Sequence, residues 1–269
     1  RYLRKVRYNY MRYISFYNVK GGTAKTHSAI SFAIILAKKY NKRVLFVDID
    51  PQSSATKSLG CYNENDEEGI LSIADIMLSK DNIASKAIQH CKYGFDVIPS
   101  SFDLLGANIR VSSDLLRPQQ LRLKKQLEPL ENDYDFCIFD FSPYPTITAV
   151  NALCISDDVL VPIKLGKYGT DGLENVIESV FEVKEYNPKL VIEGCFATVY
   201  EKSKVNSNGL SELKEALAPF GLPVFNTYIR KTCKVVESED SDPVVISAPS
   251  CTASKDYYAL VEEYLQSIS

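Results

Sequence analysis

Short apolar runs alternate with longer helical patterns along most of the chain. Near-continuous hydrophobicity over a short run is typical of a parallel strand that is covered on both faces, and aromatic and β-branched residues favour strands. Six segments meet one of these criteria and are predicted as strands: residues 13–19, 43–50, 95–100, 135–142, 158–164 and 190–200.

Helical patterns fill several of the intervals between these strands. Residues 29–36 are apolar almost all round, which predicts a buried helix. For a later helix, Asn208 or Ser211 is the candidate N-cap, and Pro219 with Gly221 is expected to end it. The helices predicted after the first are residues 120–131, 170–186 and 208–218.

This alternation of strands and helices predicts the fold class. It indicates βαβ units and an α/β fold, with a doubly wound, mostly parallel sheet flanked by helices. Ligands of such sheets bind beyond the carboxyl ends of the strands. Because no linker interrupts residues 12–269, we predict a single domain there, with residues 1–11 as a basic N-terminal tail or upstream extension.

Composition narrows the function classes. The net charge is −3, so bulk charge does not favour nucleic-acid binding, and any DNA contact must come from a local basic patch. The seven cysteines include no C-x-x-C pair, which argues against a metal site or a disulfide framework and favours a reducing compartment. With no apolar run of membrane-spanning length and no signal-peptide pattern, we expect a cytoplasmic protein without membrane attachment.

A glycine-containing loop, Lys20-Gly21-Gly22-Thr23-Ala24-Lys25-Thr26, lies between the first predicted strand and the first predicted helix. In a phosphate-binding loop, N–H groups at the helix start cradle phosphate oxygens. Lys25 can then reach the β and γ phosphates, and the Thr26 hydroxyl can ligate Mg²⁺. Because Ala24 replaces the last glycine of the usual pattern, an ordinary glycine turn stays open on these residues alone.

Acidic residues follow two of the predicted strands. Asp48 and Asp50 stand two positions apart, which places both side chains on one side if the strand continues. Asp140 ends a third apolar run. The alternative is a strand that ends in a polar turn, since Asp-Pro favours turns.

Together these motifs resemble those of the ParA/MinD superfamily of ATPases with a deviant Walker A motif. The matching segments are N-x-K-G-G-x-x-K-T at 18–26, D-x-D-P-Q at 48–52 and the apolar strand that ends at Asp140. The resemblance covers nearly the whole chain after residue 12 and includes the segments at 151–173, 224–238 and 251–265.

The resemblance implies a P-loop ATPase with ATP and Mg²⁺ as cofactors, and it assigns catalytic roles to Lys20, Lys25 and Asp50. Lys20 matches the signature lysine, which crosses a dimer interface to the phosphates of the partner's ATP, and Asp50 matches the carboxylate that positions the attacking water. Asp48 would lie near the water shell of Mg²⁺, and Asp140 would hold the ion through water. The implied ATP-binding set is Lys20, Gly21, Gly22, Thr23, Ala24, Lys25, Thr26, His27 and Thr198.

Within the superfamily, the chain most resembles the small, Soj-like partition ATPases. The C-terminal segment carries Glu262 and Glu263 and no basic residue after Lys255, unlike the membrane-binding members. The resemblance implies an ATP-dependent homodimer, non-specific DNA binding, slow hydrolysis, a ParB-like centromere-binding partner and a nucleoid-associated location. The basic residues that fall in its DNA-contacting stretches are Lys202, Lys204, Arg230, Lys231 and Lys234.

Two other functions stay open. A non-hydrolysing ATP-binding switch stays open because of three departures from the family pattern, at Ala24, Phe141 and Ser142. A P-loop biosynthetic synthetase that activates a carboxylate with ATP is the other, and the D-x-D-P-Q segment disfavours it.

Overall fold

The structure, a computed structural model, describes residues 10–61, 69–166, 172–238 and 242–269. Within them, seven strands form one sheet in the order β3-β4-β2-β5-β1-β6-β7. The strands are β1 Arg12–Phe16, β2 Val44–Ile49, β3 Gln89–His90, β4 Asp96–Ile98, β5 Phe136–Phe141, β6 Asp158–Lys164 and β7 Val191–Thr198. All neighbours pair in parallel except β3 with β4.

Helices cover both faces of this sheet. They are α1 Lys25–Tyr40, α2 Ser54–Ser58, α3 Ile73–Leu78, α4 Leu104–Ser112, α5 Arg122–Leu127, α6 Ile147–Ile155, α7 Leu173–Val183, α8 Lys204–Leu217, α9 Cys233–Glu237, α10 Val244–Ser247 and α11 Thr252–Ser267. Short 3-10 turns lie at Ala84–Lys86, Glu128–Leu130 and Ala218–Phe220.

Strand side chains alternate between the two faces, so one sheet separates two apolar layers. Cys137 and Phe139 of β5 pack in the layer that holds α3 to α8, while Phe136 and Ile138 pack against α1, α10 and α11. Burial on both faces explains why the central strands read as continuous apolar runs. The predicted doubly wound α/β fold is confirmed.

The segment predictions differ from the structure in detail. All six predicted strands are present, β6 with the predicted limits and the other five shorter than predicted. The elements that were not predicted are the edge strand β3 and the helices α2, α3, α4, α6, α9 and α10. Residues 1–9 of the predicted tail and residues 170–171 of the predicted helix 170–186 lie outside the described residues.

The predicted N-cap of α8 is wrong. The helix begins at Lys204, and Ser203 caps it by accepting a hydrogen bond from the Asn206 N–H at 3.2 Å. Asn208 and Ser211 therefore lie inside the helix. The end is as predicted, since Gly221 adopts a left-handed φ of 65° after the 3-10 turn that contains Pro219.

Gly194 in β7 has no room for a side chain. A Cβ there would lie 2.5 to 2.7 Å from three ring atoms of Phe225. Phe225 is held by its own backbone, because its N–H donates to the Cys195 carbonyl at 2.8 Å. The close approach of strand and ring therefore requires glycine at this position.

We expect Gly194→Ala to lower the free energy of unfolding by about 1–3 kcal/mol, the usual cost of overpacking. Urea denaturation of both proteins measures the difference. Gly106→Ala in α4 is the matched control, because a Cβ there meets nothing within 4 Å and alanine favours a helix by roughly 0.5–1 kcal/mol. Equal stability of the two variants would contradict the packing described for β7.

Candidate nucleotide site

The loop between β1 and α1 leaves the N-terminus of α1 without a capping side chain, as an anion-binding site requires. Ala24, the N-cap of α1, adopts a left-handed φ of 62° and gives no side-chain cap to the first turn. The Ala24 carbonyl accepts the first helical hydrogen bond, from the Ser28 N–H at 3.0 Å. The N–H groups of the first turn therefore face the site without a capping side chain, and the helix dipole adds positive potential there.

Two side chains anchor this loop to the sheet. The Asn18 side chain donates to the Pro162 carbonyl at 2.9 Å and accepts from the Lys20 N–H at 2.9 Å. The Thr198 hydroxyl donates to the Thr23 carbonyl at 3.0 Å. Thr198 is fully buried behind the loop, and the neighbouring Val199 lines the cavity. The contact of Thr198 with ATP stays a prediction.

Lys25 places a buried positive charge at the helix start. Its side chain is 7% exposed, and its Nζ donates to the Lys20 carbonyl at 3.1 Å. Burial lowers the pKa of Lys25, while Asp140 and Asp50 oppose that effect. Lys25 also lines the cavity, whereas the half-buried Lys20 does not line the cavity of its own chain.

Asp140 is a fully buried carboxylate at the end of β5. Within the described residues neither of its oxygens makes a hydrogen bond of normal geometry. Burial and the neighbouring Asp48 raise the pKa of Asp140 well above its ordinary value, while the Thr26 hydroxyl and Lys25 favour its charged form. A buried, unsatisfied carboxylate beside a hydroxyl fits a bound cation and its water shell, so these residues suit Mg²⁺.

Asp48 differs from Asp140 because hydrogen bonds use both of its oxygens. One accepts from the Asp50 N–H at 3.0 Å, and the other accepts from the Thr56 N–H at 2.9 Å and the Thr56 hydroxyl at 2.7 Å. Burial raises the pKa of Asp48 to about 6. Asp48 therefore supports the loop after β2. It also pairs in register with Asp140, and its place near the water shell of Mg²⁺ stays a prediction.

The predicted loop residues and Asp50 meet at one cavity of about 1080 Å³. Its lining includes residues 21–27 with Asp50, and residues 229–233. An apolar region completes it, formed by Ile30, Val199, Ile229, Val235 and Val244. A polar, cationic end beside an apolar end suits a nucleotide, with phosphates at one side and the base at the other.

The fingerprint of a phosphate loop covers only the phosphate-binding part of the cavity. The apolar lining comes from α1, α9, α10 and the segments that follow β7 and Pro223. Val199 adopts a left-handed φ of 52°, which is unusual for a β-branched residue. No sequence pattern reveals this backbone conformation.

The residues predicted to bind DNA separate into two groups. Arg230 and Lys231 line the cavity, and both are ion-paired: Arg230 with Asp256 at 2.6 Å and Lys231 with Glu201 at 2.5 Å. Lys234 pairs with Glu237 at 2.5 Å. The predicted patch of Arg230, Lys231 and Lys234 is thus largely neutralised by neighbouring acids.

Lys202 and Lys204 form the second group. Both are exposed at the start of α8, and neither makes an ion pair within the residues that the structure describes. They are the members of the predicted set that are best placed to meet a phosphate backbone.

The described residues contain neither a ready-made metal cluster nor a membrane-spanning helix. No group of three or more His, Cys, Asp and Glu side chains there could hold a metal ion. A Mg²⁺ site at Thr26 and Asp140 would therefore take its other ligands from phosphates and water. None of the helices in the same residues is long and apolar enough to cross a membrane.

Comparisons with known proteins agree with this geometry. Residues 11–192 match a family model described as an AAA domain. The sporulation initiation inhibitor protein Soj of Bacillus subtilis (strain 168) is 31% identical over 256 residues, which cover 93% of this chain and 96% of Soj.

Two solved structures share the fold. Cobyrinic acid a,c-diamide synthase from Mycobacterium smegmatis with bound ADP and magnesium is 25% identical with a TM-score of 0.79, covering 94% of this chain and 93% of that one. A plasmid partition protein from Borrelia burgdorferi is 25% identical with a TM-score of 0.68, covering 95% of this chain and 96% of that one.

Proposed function

Because this chain belongs to the ParA/Soj family of partition ATPases, we propose that it is an ATP-dependent DNA partition ATPase. It binds Mg·ATP, dimerises, binds DNA without sequence specificity and hydrolyses ATP slowly. One observation carries the nucleotide part of the proposal: an uncapped helix N-terminus with the buried Lys25 beside the unsatisfied Asp140. This arrangement supplies positive charge for phosphates and a carboxylate for their cation.

The residues of the site have different roles in ATP hydrolysis. The first-turn N–H groups and Lys25 hold the phosphates, and Thr26 with Asp140 would hold Mg²⁺ through a hydroxyl and through water. When bound, Mg²⁺ supplies charge neutralisation for the phosphate oxygens. Asp50 lines the cavity and orients the water that attacks the γ phosphorus, so that ATP and water give ADP, phosphate and a proton.

Dimerisation completes the site through Lys20. The Lys20 side chain does not line its own cavity, which supports a role toward the nucleotide of the second copy. Mixing Lys20→Ala with Asp50→Ala tests this role. Recovered turnover in the mixture is expected, because one composite site keeps both groups, and no recovery in demonstrated heterodimers would instead place Lys20 in its own site.

Paired binding surfaces in the dimer explain how ATP controls DNA binding without touching DNA. Two weak basic patches on one rigid dimer bind a polyanion far better than one patch, because the second contact becomes intramolecular. A ParB-like centromere-binding partner would accelerate hydrolysis and release the DNA. Such a protein works in the cytoplasm, on the nucleoid.

We expect Lys202→Glu combined with Lys204→Glu to weaken DNA binding and to reduce the slope of log affinity against log salt, because fewer counterions are released. Fluorescence anisotropy over a salt series measures both. Lys124→Glu with Lys125→Glu on α5 is the matched control of equal charge change. If the control weakens binding as much as the test pair, the DNA surface is not at the start of α8.

A biosynthetic synthetase is the second candidate, favoured by the similarity to cobyrinic acid a,c-diamide synthase. ATPase assays separate the candidates. The partition ATPase hydrolyses ATP without a small-molecule acceptor and responds to DNA, whereas a synthetase requires its carboxylate substrate. Absence of turnover under every condition, together with tight ATP binding, would indicate the non-hydrolysing switch.

A further inference from the structure

Thr56 is fully buried in the short helix α2 and joins three elements of the site. Its hydroxyl donates to Asp48 at 2.7 Å and accepts from the Ser100 N–H at 2.9 Å. The single hydroxyl proton is thus directed at Asp48, and an oxygen lone pair is used by the end of β4. Thr56 therefore connects the carboxyl ends of β2 and β4, while its own N–H adds a second bond to Asp48.

Asp48, which Thr56 holds in place, in turn holds the backbone of Asp50. The Asp48 oxygen that does not contact Thr56 accepts from the Asp50 N–H at 3.0 Å. The Asp50 carboxylate accepts from the Gln52 N–H at 2.9 Å, and the Asp50 carbonyl accepts from the Ser53 N–H at 2.9 Å. The orientation of Asp50 toward the cavity therefore depends on a chain of hydrogen bonds that begins at Thr56.

The loop that carries Asp50 also contains backbone strain. Ser53 adopts a left-handed φ of 56°, which is unfavourable for a residue other than glycine. Such a conformation persists only when its surroundings hold it in place. The bonds of Asp48 to the Asp50 N–H and to Thr56 are among the contacts that hold the two ends of this loop.

We propose that Thr56 is a positioning residue for ATP hydrolysis, acting through Asp48 to hold the Asp50 carboxylate where it orients water. This role rests on the proposed ATPase function and on Asp50 as the water-positioning group. Thr56 lies behind the loop and is not among the residues that line the cavity. Phosphate binding, which uses the first turn of α1, does not depend on it.

The test compares Thr56→Val with Thr56→Ser in the full chain. Valine has nearly the same shape but lacks the hydroxyl, so Asp48 loses a charge-assisted hydrogen bond and the Ser100 N–H loses its acceptor. We expect kcat at saturating Mg·ATP to fall by about tenfold to a hundredfold in Thr56→Val, with the Kd for ATP within about twofold of wild type. Thr56→Ser restores the hydroxyl and should recover most of the rate.

Ser156→Ala is the matched control for loss of a buried hydroxyl. Ser156 precedes β6, at the amino edge of the sheet away from the site, and its hydroxyl bonds to Ser15 at 2.6 Å and to the Ala152 carbonyl at 2.7 Å. Its loss should affect stability and leave kcat near wild type. If Thr56→Val does not fold, Thr56→Ala removes the same hydroxyl without adding atoms.

Amide hydrogen exchange at Asp50 and Ser53 gives a readout that does not depend on turnover. Exchange should accelerate in Thr56→Val and return toward wild type in Thr56→Ser. Unchanged exchange, an equal loss of rate in both variants, or a parallel rise in the Kd for ATP would each overturn the positioning role. A wild-type protein that does not hydrolyse ATP would instead contradict the proposed function, and the exchange result would still decide whether Thr56 holds the loop.

Discussion

Replacing Asp50 by alanine is expected to leave ATP binding intact and to lower kcat by about 10²–10⁴-fold, the range for loss of a positioned acid or base. Asp50 lines the cavity beside the phosphate loop, whereas the groups assigned to the phosphates lie on α1. The loss should therefore affect a group used in the transition state and not in ground-state binding. Single-turnover hydrolysis and calorimetric ATP binding measure the two quantities separately.

Asp103→Ala provides the control for this substitution. Asp103 is an exposed carboxylate at the start of α4, makes no capping hydrogen bond and does not line the cavity. Its replacement should leave both kcat and ATP affinity near wild type. Hydrolysis by Asp50→Ala at the wild-type rate would show that another group positions the water.

The second large effect is expected at Asp158, in the buried network that joins β1, β6 and α11. Its oxygens accept from Arg12 Nε at 2.6 Å, from an Arg12 terminal nitrogen at 2.8 Å and from the Tyr264 hydroxyl at 2.6 Å. Asp158→Ala leaves Arg12 half-buried without its carboxylate. We expect a loss of about 3–5 kcal/mol in the free energy of unfolding, as for other broken buried pairs.

Two substitutions in α11 provide reference values for this loss in the free energy of unfolding. Tyr264→Phe removes one hydrogen bond to a charged group and should cost about 1.5–3 kcal/mol. Glu262→Ala removes the exposed partner of Lys39, 3.9 Å away, and should change stability by less than about 1 kcal/mol. Denaturant unfolding that gives the three variants equal stability would contradict the assigned role of the Asp158 network.

The sequence predicted the elements whose signals are local. The inner strands β2, β5 and β6 are buried on both faces, so their apolar runs are visible without any knowledge of their partners. The edge strand β3 has two residues, too few for a strand pattern to be visible, although its partner β4 follows it directly in the chain. The start of α8 was missed because Gly209 weakens the helical pattern; a Cβ at this position would lie 3.6 Å from Leu165.

The site shows the same division between local and long-range signals. The phosphate loop, Asp50 and Asp140 follow strands directly, so their meeting at one sheet edge follows from topology. The structure adds two contacts that the motifs did not predict: Thr198 donates to the Thr23 carbonyl, and Asp48 accepts from the Thr56 hydroxyl. Arg230 forms an ion pair with Asp256, which lies 26 positions later in the sequence, and no local pattern predicts this pair.

DNA affinity measured in different nucleotide states tests the central claim most directly. Full-length protein, and the Asp50→Ala variant as the trapped ATP state, would be titrated onto DNA of unrelated sequences with ATP and Mg²⁺, with ADP and Mg²⁺, or without nucleotide. We expect tight binding only with ATP, accompanied by dimerisation in light scattering, little sequence preference and a steep loss of affinity with salt. DNA binding that is absent with ATP even at low salt, or that is equal in all three nucleotide states, would contradict the central claim.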